Sequence, residues 1–151
     1  MTTQIVSNTV TVMATNTQFS IAVHLMIALG YGSGRQATSG ELASSINTSP
    51  SFVRRILAKL SKSGLVSTTT GKSGFCLLAK KPEDISLLEI YKAVDAPQTF
   101  AIHDYPVQGK CMVSCNIESV MRKVLTSAQN SFEGSLGDTT LAELIADIRR
   151  D

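Results

Sequence analysis

At Gly64 the hydrophobic pattern changes period, and that break limits the fold more than any other feature of the chain. Upstream, SPSFVRRILAKLSKSGLV carries Phe52, Val53, Ile56, Leu57 and Leu60 at helical spacing. Ser49 suits the N-cap, Pro50 the first helical position and Gly64 the C-terminal stop. Downstream, Leu65–Thr70 is rich in β-branched residues, Gly71-Lys72-Ser73-Gly74 is a turn, and Phe75–Ala79 reads as a returning strand. A capped helix therefore feeds straight into a β-hairpin. The other faces of that helix hold Ser51, Arg54, Arg55, Ala58, Lys59 and Lys62. On an isolated helix, a solvated charged face would explain them, so the flanking elements decide.

Ahead of this helix, Phe19, Ala22, Val23, Met26 and Ile27 form the stripe of a first helix, expected to be capped at Asn16 or Thr17 and to end by Gly30–Gly34. Thr38 and Glu41 have capping-box spacing before Leu42, Ala43 and Ile46, and Asn47-Thr48 makes a short turn into Ser49. Behind the hairpin, Pro82 breaks the chain and Ser86 caps a fourth helix with Leu87, Leu88, Ile90, Tyr91 and Val94. A looser segment runs from Gln98 to Cys115. Asn116 is then the expected cap of a long helix, with the seam Ile117, Val120, Met121, Val124, Leu125, Ala128 and Phe132, interrupted at Gly134–Gly137. Thr140 and Glu143 form another capping box, opening a last helix with Leu141, Leu144, Ile145 and Ile148.

Helix, short helix, tight turn, basic helix, hairpin is the order of a winged helix-turn-helix. The expected fold is mainly α with a small β-hairpin wing, followed by a long dimerisation helix. The expected division is a flexible N-terminal tail (1–13), a winged helix-turn-helix DNA-binding domain (14–96), a cysteine-containing loop (97–115), and the dimerisation helix with the C-terminal helix (116–151). The net charge is only +2, so a nucleic-acid signal has to come from local clustering. The second helix of such a motif enters the major groove by its N-terminal end, where Ser51, Arg54 and Arg55 stand. Thr38, Ser39, Ser49, Lys59, Lys72 and Ser73 complete the expected contacts to double-stranded DNA. The basic face is thus read as meeting an operator as well as water. The long seam is read as a homodimer interface through Ile117, Val120, Met121, Val124, Leu125 and Ala128, because it exceeds what packing on the head requires.

ILAKLSKSGLVSTTTGKSGFCLLAKKPEDISLLEIYKAVDA resembles the signature region of the Rrf2 family of bacterial transcriptional regulators. Leu60, Gly64, Leu65 and Val66 match the end of its recognition helix. Gly71, Gly74, Leu78 and Ala79 match its wing, and Ile85, Leu87, Ile90, Ala93 and Val94 match the helix after it. The likeness extends more weakly from Asn16 to about Ile148. Thr70 stands where the family often has a wing arginine, and Phe75 and Cys76 where it has glycine and tyrosine, which leaves Lys72 as the wing's candidate phosphate contact. The resemblance implies a DNA-binding regulator, here expected to be a repressor.

In cluster-binding members three cysteines before and at the start of the long helix hold an iron–sulfur cluster. This chain has two there, Cys111 and Cys115, with Cys76 in the wing, and a cluster needs about four such ligands. His103 or a residue of a second subunit would have to complete the set. No cofactor and no metal is therefore expected, and an iron–sulfur sensor is the alternative. Cys111 follows Lys110 and precedes a helix start, surroundings in which thiols react, so Cys111 and Cys115 are candidates for redox sensing. The competing reading makes Cys111 an inert loop thiol and Cys115 a small packing residue. Cys76, between Phe75 and Leu77, is expected to be packed or on the strand surface.

An enzyme is not expected: no nucleophile–base constellation, phosphate-binding glycine loop or paired metal-ligand histidines occur in the sequence. No apolar run approaches the ~18 residues of a membrane span. The first twelve residues lack the basic start and apolar core of a signal peptide, and three cysteines make no disulfide framework, so the cytoplasm is the expected compartment. The rival from another class is a winged-helix module that binds a protein partner instead of DNA.

Overall fold

Nothing in the chain before Gly30 breaks a helix, because that stretch contains neither glycine nor proline. In the computed structural model, which describes residues 2–32, 36–69, 71 and 74–151, helix α1 accordingly spans Thr2–Tyr31. It starts well before the expected caps Asn16 and Thr17. β-branched residues lower helix propensity by only tenths of a kcal/mol each, and an already nucleated helix propagates through them.

The order after α1 is α2 (Ser39–Ile46), α3 (Pro50–Lys62), β1 (Val66–Thr68), β2 (Cys76–Leu78), a 3-10 turn at Pro82–Asp84, α4 (Leu87–Ala93), α5 (Met112–Gly137) and α6 (Leu141–Arg150). The fold is mostly helical with a two-stranded antiparallel hairpin, as expected. Its register pairs Val66 with Leu78, Ser67 with Leu77 and Thr68 with Cys76. A further bridge joins the hairpin to the start of the helix-turn-helix: Ala37 and Cys76 exchange backbone hydrogen bonds at 3.0 and 2.7 Å.

The end of α3 accounts for the change of period. Gly64 has φ +76°, a left-handed conformation that costs glycine little. Its N–H donates to the Ser61 carbonyl, and the Leu65 N–H donates back to the Leu60 carbonyl at 3.0 Å. These two bonds satisfy carbonyls that the helix end would leave open and turn the chain directly into β1.

One core serves the head. Leu25, Met26 and Leu29 of α1 meet Leu42 of α2, Val53, Leu57 and Leu60 of α3, Ile90 and Val94 of α4, and Leu141 and Ile145 of α6. Each fully buried leucine contributes about 1.5–3 kcal/mol. No polar or charged side chain is buried among the described residues. The last helix therefore belongs to the head's core, packed on α1, and does not extend the long helix. Gly30 permits that packing: a Cβ there would lie 2.6 Å from Ile145 Cδ1.

Helix α5 differs from the expectation at both ends. It begins at Met112, not at Asn116, and it continues through Gly134 to Gly137. Cys111 is its N-cap, with Sγ accepting from the Ser114 N–H at 3.5 Å. Asn116 sits within the helix, and its side-chain amide donates to the Met112 carbonyl at 2.7 Å. No residue of α5 is buried.

Candidate nucleic-acid interface

Two side-chain caps and one left-handed residue fix how α2 meets α3. Thr38 Oγ1 accepts from the Glu41 N–H at 3.2 Å, and the Glu41 carboxylate accepts from the Thr38 N–H at 2.7 Å. Asn47, φ +63°, reverses the chain, and Ser49 Oγ accepts from the Phe52 N–H at 3.3 Å to start α3. The side chains of Thr38 and Ser49 are thus committed to starting helices at the edge of the candidate surface.

The exposed surface itself comes from Ser51, Arg54 and Arg55, with the half-buried Ser39 beside them at the start of α2. Arg54 Nε donates to Ser39 Oγ at 3.3 Å, tying α3 to the first residue of α2. The Arg55 guanidinium carbon lies 5.4 Å from the centroid of the half-buried Phe52 ring, a cation–π distance. Lys59 turns elsewhere: its Nζ donates to the Val94 carbonyl at 3.5 Å, against the C-terminal end of α4. Lys62 is exposed in the last turn of α3. Lys72 and Ser73, like Thr70, lie outside the described residues.

The cysteines separate by environment. Cys76 is buried in the hairpin, and burial pushes its thiol pKa up. Cys111 and Cys115 are exposed, one at the cap of α5 and the other in its first turn. Cys115 Sγ lies 3.8 Å from the Gln108 carbonyl oxygen and 3.7 Å from that of Gly109. This donor set does not fit an iron–sulfur cluster within one subunit. Only two thiols share the site, Cys76 is committed to the hairpin core, and the described residues contain no group of three or more histidine, cysteine or acidic side chains able to hold a metal.

A polar junction between head and long helix was not foreseen from the sequence, where Tyr91 counted only as an apolar helix residue. Tyr91 Oη donates to the Pro97 carbonyl at 2.7 Å and accepts from Gln129 Nε2 at 3.1 Å. Gln129 Oε1 accepts from the Thr99 N–H at 3.2 Å. The Tyr91 ring stands edge-on between Phe19 of α1 and Phe132 of α5, with both centroids 5.5 Å away. The available signal was a glutamine beside the α5 seam, where a surface position needed no particular polar group. Along that seam Val120 and Val124 are 52% and 56% exposed, while Ile117, Met121 and Leu125 are half-buried and Ala128 is exposed.

The sequence model of the family described as Rrf2, iron-dependent transcriptional regulator, matches residues 15–147. The chain is 33% identical over 132 residues to a Bacillus subtilis (strain 168) protein named as an HTH-type transcriptional regulator, YwnA, covering 86% of this chain and 96% of that one. Among solved structures it resembles a Lactobacillus plantarum protein named as a transcriptional regulator, with a TM-score of 0.77 and 27% identity over 89% of this chain and 91% of the other. Staphylococcus aureus CymR superposes with a TM-score of 0.66 at 21% identity, over 85% of this chain and 95% of that one, a likeness of fold alone.

Proposed function

Since the chain belongs to the Rrf2 family of transcriptional regulators, and not to a family of enzymes, we propose that it is a sequence-specific DNA-binding repressor acting as a homodimer in the cytoplasm. The observation that carries this reading is the exposed pair Arg54 and Arg55 in the first turns of a helix held by α2 and by its own cap. Guanidinium groups suit both phosphates and guanine edges, and a recognition helix presents its first turns to the major groove. No described helix is long and apolar enough to cross a membrane. Repression needs no further surface, because a dimer seated over a promoter excludes polymerase by occupancy.

The dimer reading rests on α5. Its 26 residues span about 39 Å, and its apolar seam faces outward in the single chain. A helix with an uncovered apolar stripe gains stability by pairing. A two-fold axis through α5 would present two recognition helices to half-sites about one DNA turn apart.

The test is binding to double-stranded DNA over a range of salt concentrations. Phosphate contacts give a steep linear fall of log affinity with log salt. A flat response, or no DNA binding, would leave the winged helix as a protein-binding module instead.

A second reading concerns Cys111 and Cys115, because both thiols are exposed and lie four residues apart at the start of α5. Four residues of helix rise about 6 Å, within the Cα span of a disulfide, but Cβ atoms one turn apart lie about 5–6 Å from each other, so the bond forms only if the first turn of α5 opens. Hydrogen peroxide would take two electrons and two protons from the pair, forming the S–S bond and leaving as two waters. The linked turn would then shift the start of α5, and with it the two reading heads.

A further inference from the structure

The two arginines of α3 are adjacent in sequence but held in different ways. Arg54 has its Nε–H engaged by Ser39 Oγ, so its guanidinium is drawn to the side of the helix that faces α2. Only its two terminal nitrogens remain to contact a ligand. Arg55 makes no hydrogen bond to the protein among the described residues, and its guanidinium is steadied by the Phe52 ring. All five of its N–H donors are therefore open.

Their neighbours differ as well. Ser51, Arg55 and Ala58 follow one another at i, i+4 and i+7 and are all exposed, so they form a single strip along α3. Arg55 is the only long side chain in that part of the strip. Flanking serine and alanine leave the helix backbone free to approach a groove floor closely, and the arginine spans what remains. Arg54 lies about 100° around the helix from this strip, beside the start of α2. In a helix-turn-helix the first helix crosses the DNA backbone while the second lies in the groove. A group on the α2 side therefore faces phosphates, and a group on the far strip faces base edges.

We infer that Arg55 is the base-reading residue of this protein, recognising guanine in the major groove, and that Arg54 is a phosphate clamp positioned by Ser39. The assignment rests on the DNA-binding reading of α3. Arg55 supplies a planar fork with its donors open and pre-oriented by Phe52, the arrangement that meets guanine O6 and N7 together. Arg54 supplies charge at a fixed place and reads no sequence. Ser39 acts through Arg54; it occupies the first helical position of α2, whereas the cap is Thr38, so its removal leaves the helix start intact.

Selection from a random library of double-stranded oligonucleotides, followed by affinity measurements over a salt series, tests the assignment. Arg55→Ala and Arg55→Lys should both relax one or two positions of the selected sequence and lose about 5- to 150-fold on the wild-type site, while the salt slope stays near that of the wild type for Lys. Arg54→Ala should keep the selected sequence, weaken all DNA evenly and lower the salt slope by about 1. Arg54→Lys should retain both. Ser39→Ala should weaken all sequences evenly, and Ser39→Thr, which keeps the hydroxyl, should restore the wild-type value. A sequence preference unchanged in Arg55→Ala, or one relaxed in Arg54→Ala, overturns the assignment. A wild type that enriches no sequence and shows no salt-dependent binding instead overturns the DNA reading itself.

Discussion

Glu89 shows how much a single side chain can hold in this protein. Its carboxylate accepts from Lys80 Nζ at 2.8 Å and from the Ser86 N–H at 2.8 Å, closing the capping box of α4. The hydrogen bond from Lys80 is the main cause that draws its pKa below the usual carboxyl value, and the Ser86 bonds add to it against the desolvation that raises it. A depressed pKa contributes stability above the unfolded value, lost as pH falls through the folded one. The wild type should therefore lose melting temperature on acidification through the carboxylate range, and Glu89→Gln, which can still close a capping box, should lose less. Thermal melts of both proteins across that range check this. At the same scale, Cys111→Ser should abolish any change of DNA affinity caused by peroxide, whereas Cys76→Ser should leave it, because burial raises the Cys76 pKa and hinders oxidation. Equal affinity of the oxidised and reduced wild type, with Cys111 shown to be oxidised, would make these thiols structural. The oxygen caps Thr38, Ser49, Ser86 and Thr140 were legible in the sequence because few residue types can do their work. The sulfur cap Cys111 was not, since thiols are weak acceptors and Asn116 offered a stronger signal five positions too late.

Elements were legible where an apolar period ran between distinct stops. Helix α3 and the hairpin emerged from the break at Gly64, α4 from its cap at Ser86 and α6 from its capping box. The lengths of α1 and α5 were not legible, because Gly134 and the β-branched N-terminal residues are unfavourable in a helix by only about 1 kcal/mol or less and do not end it. The junction at Tyr91 escaped for another reason: it joins residues far apart in sequence, and no local pattern marks it. Tyr91→Phe keeps the ring between Phe19 and Phe132 but removes the hydroxyl bonds to Pro97 and Gln129. It should cost about 1–2 kcal/mol in denaturant unfolding and speed hydrogen exchange at the Thr99 amide, whose acceptor Gln129 is then held less firmly. Gly30→Ala pushes a methyl group against Ile145 and should destabilise by about 1–3 kcal/mol, separating α6 from α1.

For the whole molecule, the decisive quantity is the mass of the particle in solution. Val124 is more than half exposed in the single chain, so Val124→Glu should leave the head's melting behaviour unchanged. On the dimer reading, the same change buries a charge in the pair of long helices, giving monomers with weakened DNA binding. Analytical ultracentrifugation at micromolar concentration measures both proteins, and a monomeric wild type would sink the dimer.

The bridge between Ala37 and Cys76 has a consequence at this largest scale. It fastens β2 to the segment ahead of α2, while the turn at Gly64 joins β1 directly to the end of α3, so the described strands of the hairpin are held at both ends. A head braced at both ends offers few internal degrees of freedom for a signal to act on. On the dimer reading, what a signal could still change is phase: the angle and distance at which one head follows the other around the DNA helix. Operators whose half-sites are offset by a base pair would then answer the same signal with different strength, even where their half-site sequences are identical.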